Sequence, residues 1–600
     1  MRLSAEQLAA TAITDNLLVN AGAGSGKTTV LTARYIRLLE EGGLEPGQIV
    51  AITFTKRAAR EMRERIDLSL AERAASGDSR WQRARDQLVS APISTIHAFY
   101  ARILRAFPVE ANIDPSFRVL EEMESSFLLD QALAKVIQEA RTEKCPHLDR
   151  LGELLGAQVL EEENNLSVQL REIYQTLRNR GIGVEKACLS EYYGKLPGWQ
   201  QCRDKLLQIL AGEAELAAVL GSKDKPELAK VRQALVEAGS LLASAENPHD
   251  LVELYRYLLP LTALTGGNTK GHKEFVRDGV RHLSLLLSEA LAPLLGEGTL
   301  TLLIRLERIY HELKVKAGGL DYSDLQFGVG RLFVQAPEVL PKLRQRYKTY
   351  MIDEFQDTDR LQQQIIAKLV EGPGGEIPPG RLFLVGDEKQ SIYRFRGAEV
   401  RVFDEVRRKL TASAPQREKR ITCNFRSRQP LIDLVNALFS QLMGKGEGVK
   451  YIDLTGNREG QGPCAELVSC SPANDQSPIE AEAQALAARI RKMVTEKEEL
   501  VADKEDRPRP VRYGDIAVLL RARTHLREYE HCLRLAGIPY TVVGGIGFFQ
   551  QQEIVDMYNL LRAVNNLRDE LALAAVLRSP LVALDDDSLL ALCQARREQG

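Results

Sequence analysis

A chain of 600 residues, 44% hydrophobic and 27% charged, calls for several domains of roughly 100 to 200 residues, and its 80 basic against 82 acidic side chains (net −2) exclude a histone-like polycation while allowing a locally basic groove. No apolar run approaches the roughly 18 residues of a membrane span, and the opening MRLSAEQLAA carries Glu6 and lacks a secretory pattern, so a cytoplasmic protein is expected. The eight cysteines contain no CxxC pair, which argues against a zinc or iron–sulfur centre built by this chain.

From Asn16 to Phe107, short apolar runs (LLVNA, IVAITF, APISTIHAF) alternate with helical stretches such as TTVLTARYIRLLEE, the βαβ pattern of a parallel sheet. Between about Glu121 and Lys316 the chain turns long, leucine-rich and helical, which predicts an all-helical insertion. The β/α pattern returns with YKTYMIDEF and RLFLVGD, each ending an apolar run on acidic residues, where open α/β sheets bind ligands. After about Gln429 a second α/β lobe is predicted to begin. It starts with the helix PLIDLVNALFSQLM, a charged loop VTEKEELVADKEDRPRPVR and the strand DIAVLL.

Ala21, Gly22, Ala23, Gly24, Ser25, Gly26, Lys27, Thr28 and Thr29 lie between an apolar strand and a helix and fit a phosphate-binding loop, with Ala21 in the first glycine's place. Small residues let backbone N–H groups face phosphate oxygens, Lys27 reaches the β- and γ-phosphates, and Thr28 is suited to Mg²⁺. Asp353 and Glu354 supply what such a loop lacks, a carboxylate for Mg²⁺ and a group to orient or deprotonate an attacking water. In LVGDEKQSIYRFRGA, Gln390 is placed to sense a γ-phosphate, while Tyr393 and Phe395 with their flanking arginines suit a single strand of nucleic acid. Phe54 ends a strand before a basic helix, and His97 and Phe99 repeat that arrangement.

Residues 21–28, TFTKRAAREM (53–62), STIHAF (94–99), DYSDL (321–325), DEFQDTD (353–359), GDEKQSIYRFRGA (386–398) and NFRS (424–427) resemble, in order and spacing, the UvrD/Rep branch of superfamily 1 helicases. The long insertion and Phe395, where many members have tryptophan, look nearest to the AddA and RecB helicase–nuclease subunits. The resemblance implies an α/β fold: a RecA-like P-loop NTPase lobe (1–110 and 318–429) with a helical insertion (111–317), then part of a second RecA-like lobe (430–552) and the start of that lobe's own helical insertion (553–600). It implies ATP and Mg²⁺, single-stranded and duplex DNA, an AddB- or RecC-like partner, and 3′-to-5′ movement. By the same resemblance Gln7 reads adenine, Phe425 stacks on it and Arg426 reaches the γ-phosphate. Phe54, Tyr393 and Phe395 stack on single-stranded DNA, with Thr55, Thr95 and His97 near its backbone.

Two late motifs of the family, one bearing an arginine finger, are not found before Gly600, so the chain reads as C-terminally incomplete. An arginine finger is worth roughly 10³ to 10⁵ in rate, so slow hydrolysis and no unwinding are expected of these 600 residues alone. The reading from another class is a non-catalytic DNA-binding or scaffold protein that keeps an ATP site. A small-molecule P-loop kinase would have no use for the TIHAF and QSIYRFRGA segments.

Overall fold

The computed structural model describes residues 3–145, 166–184, 298–394, 397–412, 414–443, 451–460, 464–473, 476–498, 501–503, 507–543, 552–566 and 568–599, with isolated positions among 204–296 and at 449. They fall into two compact units, Met1–Cys464 and Ala465–Gly600.

The first unit is built on a six-stranded sheet. Its strands are β1 (Leu17–Ala21), β2 (Ile49–Thr53), β3 (Ile93–Thr95), β6 (Thr349–Ile352), β7 (Leu382–Gly386) and β8 (Glu418–Ile421). A separate short pair, β4 (Arg118–Val119) and β5 (Gly319–Leu320), lies between them in sequence. The spatial order is β3-β2-β6-β7-β1-β8, every pairing parallel. β1, β2, β6 and β7 are buried at every position, as expected of strands covered on both faces.

Side-chain alternation sorts the residues between two cores. Leu18, Val50, Ile52, Tyr350, Ile352, Leu382 and Leu384 pack on one face with Phe99, Leu325 and Phe403. Leu17, Val19, Ile49, Ala51, Met351, Phe383 and Val385 face the other way, onto Val30, Leu31, Met62 and Trp81. The helices supplying these contacts include α1 (Ala5–Ala10), α2 (Lys27–Glu40), α3 (Lys56–Ala74), α4 (Ser79–Leu88), α5 (Ile96–Ala106) and, after the insertion, Tyr322–Gln335 and Arg360–Val370. At one end of β1, Asn16 accepts the Arg381 and Leu382 amides at 2.9 Å each, closing the β1–β7 edge with a buried polar group.

The insertion leaves and rejoins the lobe at the parallel β4–β5 pair, where Arg118 N donates to Gly318 O and Leu120 N to Leu320 O. Its described helices, α6 (Glu122–Thr142), α7 (Leu166–Asn179) and helical residues 298–316, enclose their own core of Leu129, Val136, Leu170, Tyr174, Leu306 and Ile309.

Three sequence expectations need correction. APISTIHAF is a strand only over Ile93–Thr95; Ile96 opens a helix because Thr95 caps it, its hydroxyl accepting Ala98 N. The charged segment after Thr495 is not wholly a loop, since Val501–Ala502 pairs antiparallel with Pro508–Arg509. DIAVLL forms no strand. A parallel strand needs ladder partners, and that short hairpin is the only strand pairing among the described residues of the second unit. Ile516 and Leu520 instead lie against the helix pair Pro478–Thr495 and Leu526–Leu535, around Ala487, Ile490 and Tyr529.

Candidate nucleotide and nucleic-acid site

The phosphate loop follows β1 at the carboxyl edge of the sheet and opens α2, with Gly26 as N-cap at φ +81° and Gly24 at φ +71°. Both angles lie where a Cβ is costly. Space gives a second reason: a Cβ on Gly24 would stand 2.7 Å from Asn424 Nδ2 and 2.8 Å from Arg426 Cβ, and one on Gly26 would stand 2.7 Å from Gln7 Nε2. Gln7, nearly fully buried and locked in a capping box with Ser4, donates Nε2 to Ser25 O at 3.0 Å.

The loop is also held from the segment after β8. Asn424 Nδ2 donates to Ala23 O at 2.6 Å and Phe425 N to Gly24 O at 2.8 Å. Glu6 anchors that segment by accepting Thr422 N and Thr422 Oγ1, each at 3.0 Å. Gln7, Phe425 and Arg426 are thus brought to the loop, with the Arg426 side chain exposed. Sequence reasoning singles out neither Glu6 nor Asn424. Their only signal is a place within motifs marked for other residues.

Lys27, the first residue of α2, pairs through Nζ with Glu354 Oε2 at 2.7 Å. Glu354 follows β6 by two residues and is left-handed at φ +51°, an uncommon conformation for a residue with a Cβ. The same Oε2 accepts Gln356 Nε2 at 2.8 Å, and Gln356 Oε1 accepts Asp387 N at 3.0 Å. Asp387 Oδ2 in turn accepts Gln390 Nε2 at 2.9 Å, while its Oδ1 pairs with Lys389 Nζ at 3.0 Å. A hydrogen-bonded path therefore runs from Lys27 through the Glu354 and Gln356 side chains to the Asp387 main-chain N–H and, from the Asp387 carboxylate, to Gln390. Gln356 and Asp387 complete this path, and sequence reasoning passes over them too.

Burial pushes the Asp353 carboxyl up to about 7, with the Glu354 charge adding and Lys27 opposing. Asp357 rises to about 6 for the same first two reasons. Among the described residues no cluster of three or more His, Cys, Asp or Glu side chains could hold a metal by themselves. Mg²⁺ carried by a nucleotide takes one or two carboxylates and draws its other ligands from phosphate and water. Asp353, a buried carboxylate crowded by Glu354, and Thr28, next to Lys27 in the first turn of α2, are oxygen donors of the kind such an ion takes.

Beyond the ends of β2 and β7, Phe54 and Tyr393 come together, ring centroids 4.7 Å apart and planes at 33°. Phe395 lies outside the described residues. Thr55 and Thr95 are N-caps, of α3 and α5, their hydroxyls accepting Ala58 N and Ala98 N. His97 rests against Tyr322 at 4.7 Å, and burial lowers it to about 4, so it is neutral at physiological pH. Phe99 is fully buried in the core and does not face the site.

The UvrD/REP helicase N-terminal domain family matches residues 3–411, and the UvrD-like helicase C-terminal domain family matches residues 420–600. AddA-type proteins, named as subunits of an ATP-dependent helicase/nuclease, are similar to this chain. That of Listeria monocytogenes serotype 4b is 28% identical over 96% of the chain and 52% of its own length. Those of Lysinibacillus sphaericus and Bacillus pumilus are 26% and 27% identical, over 95% and 98% of the chain and 52% of their own lengths. The chain spans about half the length of the curated relatives it matches. No described helix is long and apolar enough to cross a membrane. With a phosphate loop, an acidic strand end and a glutamine linked in one hydrogen-bonded chain, and two family matches covering most of its length, the chain belongs to the UvrD/REP helicase family.

Proposed function

We propose that this chain is the motor part of an ATP-dependent DNA helicase or translocase that moves 3′ to 5′ on single-stranded DNA. The motor reading is carried by the hydrogen-bonded path from Lys27 to Gln390, which ends three residues before Tyr393 and its contact with Phe54, whereas the direction rests on the family resemblance alone. Bound Mg²⁺–ATP would supply the phosphoanhydride and a cation to shield its charge, with Thr28 and Asp353 holding the metal and Gln7 and Phe425 the base.

Lys27 then has two alternative partners. Turning toward phosphate oxygens, it releases Glu354, whose carboxylate becomes free to take a proton from the attacking water. Gln356 keeps that carboxylate in place, and Gln390 reports occupancy through Asp387 to the turn carrying Tyr393. Arg426, exposed beside the loop, is available to meet negative charge on the terminal phosphate. The relatives are named as parts of a helicase/nuclease assembly, which supports work alongside an AddB- or RecC-like partner.

Steady-state ATP turnover with and without oligo-dT tests the motor against a scaffold. Lys27→Ala is expected to lower DNA-stimulated turnover by roughly 10²- to 10³-fold while oligo-dT binding persists. Turnover equal to that of the unaltered protein would leave the scaffold reading standing.

A further inference from the structure

The root of the helical insertion carries a charge cluster that the nucleotide site does not use. Arg178, next to last in α7, is 6% exposed and forks, with Nη1 to Glu307 Oε1 at 2.9 Å and Nη2 to Asp321 Oδ1 at 3.0 Å and Asp324 Oδ1 at 2.7 Å. Lys314, 1% exposed, reaches the other oxygens of the same aspartates at 2.9 and 2.6 Å and lies 4.0 Å from the Tyr310 ring. Tyr174 Oη donates to Glu307 at 2.7 Å. Arg178, Lys314, Tyr174 and Glu307 belong to the insertion. Asp321 and Asp324 belong to the lobe, where they form the capping box of helix Tyr322–Gln335.

The next residues make two more contacts with the lobe. Gly397, at φ +89°, passes so close to Asn179 that a Cβ there would lie inside the contact radius of the Asn179 carbonyl oxygen. Gly181, at φ +70°, sits where a Cβ would be 2.6 Å from Leu361 Cβ. Gly397 closes a turn in which Gly397 N donates to Arg394 O and Ala398 N to Tyr393 O. Tyr393 also meets Phe54, and Tyr322, next to Asp321, meets His97.

We propose that Arg178 and the turn following it are a positioning joint, which fixes the helical insertion to the segment bearing Tyr393, Arg394, Gly397 and Ala398 so that a load on the insertion reaches the nucleotide sensor. The part of this concerning DNA rests on the motor reading; the joint itself rests on the contacts. A buried pair that loses one member leaves an uncompensated charge, so the joint resists opening and the insertion root moves with the first lobe. Arginine is required because one fork serves three carboxylates, which a lysine ammonium cannot reproduce with the same geometry.

The full chain is compared as Arg178→Ala, Arg178→Lys and Gly397→Ala, the last disturbing the contact from the lobe side without stranding a charge. Two quantities are read: amide hydrogen exchange over 393–398, and ATP turnover against oligo-dT concentration. Faster exchange over 393–398 is expected in Arg178→Ala and Gly397→Ala, with Arg178→Lys intermediate. In Arg178→Ala, turnover without DNA should stay within about twofold while half-maximal stimulation shifts to about tenfold more oligo-dT. Unchanged exchange in the folded variants overturns the joint, and an equal fall in basal and stimulated turnover overturns its coupling role. An unaltered protein that DNA does not stimulate refutes the motor reading instead, and the exchange data then decide the joint alone.

Discussion

His97 shows how a residue's surroundings decide its charge. Its ring is enclosed by Tyr322 and Tyr100, and burial lowers its pKa from 6.5 to about 4, with Asp321 pulling weakly the other way. The folded protein therefore binds fewer protons than the unfolded chain between those values. This contribution to stability is complete above pH 6.5 and is lost as pH falls through 4. Asp359, raised by burial to about 6, acts in the opposite sense over part of that window, so a difference between variants is needed. Urea unfolding at pH 7 and 4.5 is expected to show that His97→Gln loses about 2 to 3 kcal/mol less than the unaltered protein on acidification; equal losses would show that His97 is not titrating. Lys27, Asp353, Glu354 and Gln390 are legible in sequence because each stands at a fixed offset from an apolar strand. Gln356 and Asp387 are not, because their role lies in contacts with residues 2 and 31 positions away, which spacing cannot display.

At the scale of elements, Thr55 and Thr95 show one side chain open to two roles. Each reads from sequence as a DNA contact, and each caps the helix after its strand. Thr55→Ala should cost about 1 kcal/mol in unfolding free energy through the lost cap. Thr55→Asp keeps a capping oxygen, so it should restore most of that stability while weakening oligo-dT binding in anisotropy titrations through charge repulsion. Unweakened binding in the aspartate variant would reduce Thr55 to a cap alone. Strands β1, β2, β6 and β7 are readable as four- or five-residue apolar runs. β8, with the sequence EKRI, escapes such a reading as an edge strand rich in charge, and it matters because it leads directly into the segment that straps the phosphate loop. DIAVLL has the right composition, but composition cannot supply a ladder partner.

For the whole molecule, the described part of the insertion has a core of its own within the first unit. The core containing Leu129, Leu170 and Leu306 shares no residue with the two cores on the sheet, and the chain exits and returns through adjacent strands at Val119 and Leu320. Every contact described for the phosphate loop comes from residues 6 to 27, 353 to 390 or 421 to 426, outside the insertion. Replacing residues 122–316 by a glycine–serine linker of about fifteen residues, long enough to cross back between two parallel strands, should leave a protein that unfolds cooperatively and binds ADP. Asp321 and Asp324 lose both cationic partners in that protein but gain water in place of the insertion, so the penalty of a buried unpaired charge does not arise. Stimulation of ATP turnover by DNA should fall, because the anchor on turn 393–398 has gone with Asn179. Circular dichroism and ADP titration check the first expectation and oligo-dT-dependent turnover the second. A shortened chain that aggregates or no longer binds ADP would mean that the insertion is part of the lobe's own core, and the separation of the two would have to be abandoned.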